Sequence, residues 1–351
     1  MSYLAKPKVH HPSLQRNAIG LTRRDYEGGL STLCAGCGHD SITAAIIQAF
    51  WELDIEPYKV AKLSGIGCSS KTPAYFLREA HGFNSVHGRM PSIASGAGAA
   101  NRELIMIGVS GDGDSLSIGL GQLCHSIRRN VNLLYLLENN GVYGLTKGQF
   151  SASADPGSKS KKGDANTMNA IDSVLLALTL GATFVARSFS GDKAQLVPII
   201  KAGLMHKGFA FVDVISPCVT FNDHEGSTKS YAYTREHQLE VVHADYVQSR
   251  EEITTDYAEG SSQVVQLHDG SFLNLHKIDA SYDPTDRDKA YAYIRDRQRS
   301  GETVTGLLYL DPNSIDMVEQ NQMASSPLYD YDYGSLCPGS AELEKLQKKF
   351  R

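Results

Sequence analysis

From about residue 39 to residue 218, the hydrophobic positions of the chain alternate between helical and strand-like patterns. The first segment repeats apolar residues every three or four positions, which predicts a helix capped by Asp40 or Ser41. Its apolar face consists of Ile42, Ala45, Ile46, Ala49 and Phe50. The apolar run 104–109 predicts a buried strand, largely apolar segments predict strands at 58–63, 131–137 and 209–215, and a further helix is predicted over 115–128.

This alternation predicts an α/β fold with a doubly wound, mainly parallel sheet. We expect three regions: an N-terminal arm over 1–30, a domain over 31–225, and a C-terminal extension over 226–351 that wraps the core or a partner. The extension contains short strand-like pieces at 263–267 and 306–310. The polar stretch 151–164 is interpreted as a mobile loop.

Polar side chains follow four of the predicted strands. Cys68, Asp112, Asn140 and Cys218 each come shortly after an apolar run. Ligands of doubly wound sheets bind beyond the carboxyl ends of the strands. We therefore expect these four side chains, distant in sequence, to share one edge of the sheet.

Two of these strand ends carry the chemistry of a magnesium–diphosphate site. The strand before Asp112 ends in Gly111-Asp112-Gly113-Asp114, and the next strand ends in Asn139-Asn140. Magnesium prefers oxygen ligands, glycines allow close approach to phosphate, and a following helix directs its positive end at the anion. Asp112, Asn140 and the carbonyl of Val142 are the candidate ligands. Taken alone, Gly-Asp-Gly is also a common turn.

The six cysteines suggest a second site. Cys34 and Cys37 form a CxxC pair, and Cys68 and Cys218 follow predicted strands. From spacing alone, the four are compatible with an iron–sulfur cluster, a zinc site or unrelated thiols. Cys124, in a predicted helix, and Cys337 are interpreted as non-functional.

Composition narrows the class of protein. The net charge of −5 and the pI near 6.2 give no reason to expect nucleic acid or an anionic membrane as a partner. Neither a membrane-spanning run nor a signal-peptide core is recognised in the sequence, so we expect a cytoplasmic protein.

Together the motifs resemble one family, the β subunits of 2-oxoacid:ferredoxin oxidoreductases. The resemblance covers about residues 30–225, and the tail resembles the longer β subunits of the 2-oxoglutarate type. The motifs that carry it are CAGCGHDS (34–41), SGIGCSSK (64–71), HGRMPSIASGAGAAN (87–101), GDGDSLSIGLGQLCHSIRRN (111–130), NNGVYGLTKGQ (139–149) and SPCVTFN (216–222). One departure is Asn139, where many relatives carry Asp.

The resemblance implies a thiamine-diphosphate-binding fold, with magnesium on Asp112, Asn140 and Val142. It also implies a [4Fe–4S] cluster on Cys34, Cys37, Cys68 and Cys218. Lys71, Leu145 and Lys147 would lie beside the substrate. The implied cofactor contacts are Gly36, Cys37, His39, Gly67, Ser69, Gly111, Asp112, Gly113, Asp114, Asn140, Val142, Gly144, Leu145 and Thr146. A capping or structural role for His39 stays open. His87 is interpreted as structural or as an interface residue, with a cofactor contact as the alternative.

The implied reaction is the coenzyme A-dependent oxidative decarboxylation of 2-oxoglutarate to succinyl-CoA and CO₂, or its reverse, with ferredoxin as electron partner. Pyruvate or a broader range of 2-oxoacids is an alternative, as is a thiamine-dependent decarboxylase or carboligase without electron transfer. Thiamine activation requires a carboxylate against the aminopyrimidine. Glu103 lies at the wrong end of a strand, and Glu138 would face the diphosphate. An α subunit is therefore expected to supply this Glu, in a dimer of αβ heterodimers.

Overall fold

The computed structural model describes residues 12–160, 163–241, 262–266, 272–276, 282–337 and 339–350. An eight-stranded sheet runs through its centre in the order β2-β1-β3-β4-β8-β7-β12-β9. Its strands are β1 (Val60–Ser64), β2 (His81–Asn84), β3 (Ile105–Gly111), β4 (Leu133–Asn139), β7 (Phe184–Phe189), β8 (Phe209–Ile215), β9 (Gln238–Glu240) and β12 (Thr303–Leu310). Two small antiparallel pairs lie outside it: β5 (Val142–Tyr143) with β6 (Gln149–Phe150), and β10 (Ser262–Gln266) with β11 (Phe272–His276).

The helices that connect the strands are mostly short. They are α1 (Gly38–Glu52), α2 (Met90–Ala100), α3 (Leu120–Arg128), α4 (Ser173–Thr179), α5 (Lys193–Met205), α6 (Tyr231–His237), α7 (Arg287–Arg299), α8 (Met317–Gln320), α9 (Tyr333–Leu336) and α10 (Ser340–Lys348). Short 3₁₀ helices lie at Arg23–Tyr26, Pro57–Lys59, Ser69–Ala74 and Leu328–Asp330, and Gly113–Ile118 is a π-helical turn. No helix among the described residues has both the length and the apolar character to cross a bilayer.

The sheet has an apolar core on each face, as the prediction of a doubly wound α/β fold requires. Alternate residues of β4 point to opposite faces, so Tyr135 and Leu137 pack in one core and Leu134 and Leu136 in the other. All five residues of the predicted apolar helix face belong to α1 and are fully buried in the core that also contains Leu134 and Leu136. Truncating one of its large side chains, such as Phe50→Ala, would cost about 3–5 kcal/mol of stability.

The predicted strands form, with shifted ends. The segment predicted at 209–215 is β8 over the same residues, whereas β1, β3 and β4 each begin one or two residues late and extend further. Pairing explains the shift, because β3 and β4 stay in register to Gly111 and Glu138, at the functional edge. Tertiary pairing therefore extends these strands beyond their apolar runs.

Two helix predictions need correction. The N-cap of helix α1 is Cys37, three or four residues before the predicted caps, and the helix begins at Gly38 because glycine allows its close approach to Ser216 and Ser190. The helix predicted over 115–128 is divided. The π turn closes with a bond from the amide of Gly119 to the carbonyl of Asp114, and α3 starts only at Leu120.

The region beyond residue 225 continues the main sheet. β12 pairs antiparallel with β7 and parallel with β9, and the strand predicted at 306–310 is its second half. The strand predicted at 263–267 is β10, shifted by one residue. The division of the chain into three regions at residues 30 and 225 stays a prediction. Strands β9 and β12, which follow residue 225, belong to the same sheet as the strands before it.

Candidate functional site

The sheet order brings the predicted functional residues to one edge. β1, β3, β4 and β8 are consecutive parallel neighbours, although 151 positions separate β1 from the end of β8 in the sequence. Cys68, Asp112, Asn140 and Cys218 follow the carboxyl ends of these four strands. The edge expected from the sequence therefore exists, with its groups spread across four adjacent strands.

A cavity of about 230 Å³ lies at this edge. It is lined by Ile66, Gly67, Cys68, Ser69, His87, Gly111, Asp112, Gly113, Asp114, Ile118, Asn140, Val142, Tyr143, Gly144, Leu145 and Thr146. Most of the implied cofactor contacts are among them. Gly36, Cys37 and His39 are not. His87, interpreted as a structural or interface residue, also lines the cavity, and its role stays a prediction.

Asp112 is the buried anion of the cavity, with 1% of its surface exposed. Its Oδ2 atom accepts hydrogen bonds from the amide of Gly141 (3.0 Å), from the hydroxyl of Ser153 (2.5 Å) and from that of Ser151. Among the described residues, its Oδ1 atom has only a long contact of 3.5 Å with the amide of Asn140. One oxygen is thus fixed by the protein while the other remains available to a cation.

Burial raises the pKa of Asp112 above its ordinary value, and hydrogen bonds from Ser151 and Ser153 and the charge of Lys229 offset part of this rise. A buried carboxylate that resists ionisation is stabilised by a divalent ion. The neighbouring Asn140 is also buried, and its amide oxygen accepts a bond from the amide of Val142 (3.0 Å). Carboxylate, amide and carbonyl oxygens together form a donor set of the kind that magnesium prefers.

Asp114 behaves differently from Asp112. Its Oδ1 atom accepts from the amide of Gly88 (2.8 Å) and its Oδ2 atom from the hydroxyl of Ser110 (2.7 Å). Both oxygens are therefore used to join the end of β3 to the loop that carries His87. We interpret Asp114 as a structural residue that lines the cavity rather than as a ligand.

His39 and Glu138 form a fully buried polar cluster behind the cavity. The Nδ1 atom of His39 lies 2.6 Å from the hydroxyl of Ser216 and 3.4 Å from a carboxyl oxygen of Glu138, which also accepts from Thr72 (3.0 Å). Burial lowers the pKa of His39 to about 4 and raises the pKa of Glu138 well above its ordinary value. The imidazole of His39 is therefore neutral at neutral pH, and burial favours the protonated form of Glu138. The sequence predicted that Glu138 would face the diphosphate, but its carboxyl group contacts Thr72 and His39 instead.

The four candidate cluster cysteines lie near one another, close enough for their charges to interact, and Cys68 lines the cavity. A Cβ atom added to Gly144 would lie 3.3 Å from the Sγ of Cys68 and 3.8 Å from that of Cys218, so glycine is what allows this turn to approach both thiols. Cys34 is exposed and its Sγ accepts a hydrogen bond from Thr220 (3.4 Å). The CxxC pair and the two strand-end cysteines thus meet beside the cofactor cavity.

The spacing of the thiols bears on which metal they could hold. Thiolates around one zinc ion lie only about 4 Å apart, given Zn–S bonds of about 2.3 Å. Among the described residues, no set of three or more His, Cys, Asp or Glu side chains is arranged to hold a metal ion. Four thiols at one sheet edge are a donor set that either zinc or an iron–sulfur cluster accepts.

Burial, with smaller contributions from the neighbouring Glu138 and Cys218, raises the pKa of Cys37 to about 12. The pKa values of Cys68 and Cys218 are raised by burial as well, the first being partly lowered by Lys71. Without metal these thiols are protonated, and metal binding would displace the protons.

The comparisons with known proteins agree with this geometry. The model of the thiamine pyrophosphate enzyme C-terminal TPP-binding domain matches residues 65–214. The chain is 44% identical over 208 residues to the 2-oxoacid:ferredoxin oxidoreductase subunit beta of Saccharolobus solfataricus, covering 59% of this chain and 68% of that protein. It is 34% identical over 339 residues to subunit beta of 2-oxoacid:ferredoxin oxidoreductase 1 of Aeropyrum pernix, covering 91% and 93%.

The chain belongs to the family of 2-oxoacid:ferredoxin oxidoreductase β subunits. It also resembles a solved structure, the 2-oxoglutarate:ferredoxin oxidoreductase of Magnetococcus marinus with 2-oxoglutarate, coenzyme A and succinyl-CoA bound. The TM-score is 0.71 at 28% identity, over 92% of this chain and 98% of that one. The expected family and fold are confirmed, and a β subunit implies an α subunit as its partner.

In this β subunit, the residues expected near substrate lie on two loops at the cavity. Lys71 follows Cys68 in a 3₁₀ helix, near enough for its charge to lower the pKa of that thiol. Leu145 and Thr146 line the cavity, while Lys71 and Lys147 lie outside its lining. Lys147 adopts a φ of +80°, a conformation that non-glycine residues seldom adopt, in a turn closed by a bond from Gly148 to Tyr143.

The sequence missed two functional neighbours, Ser151 and Ser153. They begin the stretch that was interpreted as a mobile polar loop, yet both side chains are buried and donate to Asp112. That interpretation is wrong for the start of the loop, because the buried carboxylate requires donors. Hydropathy carries no signal for such residues. The only available signal was their position shortly after the Asn139-Asn140 strand end.

Proposed function

We propose that the chain catalyses, with an α subunit, the coenzyme A-dependent oxidative decarboxylation of 2-oxoglutarate to succinyl-CoA and CO₂, or its reverse. Electrons would pass through a [4Fe–4S] cluster to ferredoxin. The observation that carries this proposal is the position of Gly144, which lies in the lining of the cofactor cavity and against the thiols of Cys68 and Cys218. A cofactor and a cluster on either side of one glycine are close enough to exchange electrons.

At the diphosphate end, Asp112 and Asn140 with the carbonyl of Val142 would hold Mg²⁺. The Oδ1 atom of Asp112 supports this assignment, because the described residues give it only the long contact with Asn140. When bound, thiamine diphosphate supplies the capacity to cleave the bond beside a 2-keto group. The protein binds the diphosphate, excludes water and orients the cofactor.

At the other end, Cys34, Cys37, Cys68 and Cys218 would hold the cluster, and the exposure of Cys34 supports delivery of electrons to an external carrier. Anaerobic purification of the αβ complex tests this. We expect about four irons per β subunit and a broad visible absorbance. A complex that is active but free of iron would contradict the proposal and favour a decarboxylase or carboligase. The dimer of αβ heterodimers and the cytoplasmic location stay predictions.

Substrate choice is assigned to Lys71, with Lys147 as a second cation. The distal carboxylate of 2-oxoglutarate needs a positive partner that pyruvate does not. Support comes from two matches: the 2-oxoglutarate oxidoreductase subunit KorB of Mycobacterium tuberculosis, 37% identical over 67% of this chain and 64% of that protein, and the structure from Magnetococcus marinus.

The experiment is a coenzyme A-dependent dye-reduction assay of the αβ complex across 2-oxoacids. Losing one charge-assisted hydrogen bond of about 1.5–3 kcal/mol should raise the KM for 2-oxoglutarate about 10- to 100-fold in Lys71→Met. The KM for any pyruvate activity should change little, and exposed Lys59→Met is the matched control. Activity with pyruvate but not 2-oxoglutarate would overturn the substrate assignment.

A further inference from the structure

A chain of buried hydrogen bonds begins behind the proposed magnesium ligand. The hydroxyl of Ser153 lies 2.5 Å from Oδ2 of Asp112 and 2.9 Å from Oδ1 of Asn139. Asp112, Ser153 and Asn139 are all at most 5% exposed. A hydroxyl has one proton to donate, so Ser153 shares it between the carboxylate and the amide oxygen, which couples their positions.

The second link determines what kind of side chain residue 139 can be. The Nδ2 atom of Asn139 donates to Oδ1 of Asp213 at 3.1 Å, while its Oδ1 atom faces Ser153. One end must therefore accept and the other must donate, and a side-chain amide does both. A carboxylate at this position would face the carboxylate of Asp213 across a buried contact.

Beyond Asp213, the series of hydrogen bonds continues to the C-terminal region. Arg187 donates through Nε to Asp213 (2.9 Å) and through a terminal nitrogen to Asp172 (3.0 Å). Asp172 also accepts from Gln298 on α7. Burial alone would lower the pKa of Arg187, but its two carboxylate partners raise it, so the guanidinium stays charged. The two ion pairs hold the buried guanidinium from both sides, so these links act as fixed supports.

We propose that Ser153 and Asn139 are positioning residues of the magnesium site. They fix the carboxylate of Asp112 from behind and connect it, through Asp213, Arg187 and Asp172, to helix α7. This inference rests on the proposed function, because it assumes that Asp112 binds the ion. It adds that metal affinity depends on residues that never touch the metal, one of them in the C-terminal region.

The test measures metal affinity directly. The αβ complex is stripped of metal and cofactor with a chelator under anaerobic conditions, then titrated with Mn²⁺, which accepts the same oxygen ligands, in the presence of thiamine diphosphate. Bound Mn²⁺ is counted by electron paramagnetic resonance, and thermal unfolding is recorded in parallel. The matched control is Ser173→Ala. Ser173 is a buried serine beside Asp172, and its hydroxyl has no hydrogen-bond partner among the described residues.

We expect Ser153→Ala and Asn139→Asp to weaken Mn²⁺ binding about 10- to 100-fold, and Ser173→Ala to leave it unchanged. Adding Asp213→Asn to Asn139→Asp restores a donor opposite the new acceptor, so the double variant should recover part of the affinity. Gln298→Ala, at a half-buried position that poses little risk to folding, should weaken binding by a smaller factor.

Two results would overturn the inference. The first is a wild-type Mn²⁺ affinity in both Ser153→Ala and Asn139→Asp, even with a lowered unfolding midpoint, which would make these residues merely structural. The second is a wild-type complex that binds no Mn²⁺ with thiamine diphosphate. That result would overturn the proposed function itself, and the inference with it.

Discussion

The two ends of the site differ in how the protein holds them. At the diphosphate end, the carboxylate of Asp112 is buried and its Oδ2 atom is held by three donors. At the cysteine end, Cys34 is exposed, and burial raises the pKa of Cys37 to about 12. The first end is preformed by side chains, whereas the thiols of the second would have to lose their protons to bind the proposed cluster. The diphosphate end is therefore preorganised for its ligand, whereas the cysteine end would change its protonation on binding one.

The largest expected effect concerns the cysteine end. Cys218→Ala should remove most of the iron and lower 2-oxoacid-dependent dye reduction by at least about 100-fold, because even partners that only support metal ligands cost 10- to 100-fold. The affinity for Mg²⁺ and thiamine diphosphate should remain, since Asp112 is held independently. Iron analysis and calorimetric titration measure the two effects, with Cys124→Ala as control. Loss of both together would show that the two ends form one unit.

The next effect separates two neighbouring aspartates. Asp112→Asn should weaken binding of Mg²⁺ and thiamine diphosphate by about 100-fold or more, since it removes a metal ligand. Asp114→Asn should act mainly on stability, costing about 1–3 kcal/mol, because it disturbs the bonds to Gly88 and Ser110. Titration calorimetry and urea unfolding of the same preparations distinguish them. A larger loss of metal affinity in the Asp114 variant would reverse our assignment of the two residues.

The smallest effect is a pH dependence. Burial raises the folded-state pKa of Glu138 well above its ordinary value, so the folded chain binds a proton that the unfolded chain releases. The stability it contributes is present below the ordinary glutamate pKa and is lost as pH rises towards the folded pKa. Glu138→Gln should remove this slope, which amounts to at most about 1.4 kcal/mol per pH unit. Urea unfolding of the metal-free protein at several pH values measures it, and an unchanged slope would contradict it.

Much of the fold and of the candidate site follows from local patterns. The strand before Asp112 and the strand before Asn140 are recognisable because both of their faces are buried, which gives continuous apolar runs. The edge they share follows from the rule for parallel sheets. Even the glycine turn at Gly144 belongs to a motif visible in the sequence.

What the sequence did not predict depends on polar groups and close packing. The start of α1 at Gly38 requires knowledge that Ser216 lies within contact distance. The role of Ser153 requires the position of Asp112, which lies 41 positions earlier. The place of β12 in the sheet depends on pairing with β7, about 120 residues away. Each depends on a long-range contact, and hydropathy records only local ones.

The order of the strands also has a consequence for how the enzyme matures. Cys34 and Cys218 are 184 positions apart and meet through a hydrogen bond from Thr220 and the pairing of β4 with β8. Pairing of segments so distant is slow, because the intervening chain must lose its freedom first. Cys34 and Cys37 are synthesised early, whereas Cys218 is synthesised much later. We therefore expect iron delivered too early to be captured by half a ligand set, so that productive loading waits for a nearly finished sheet.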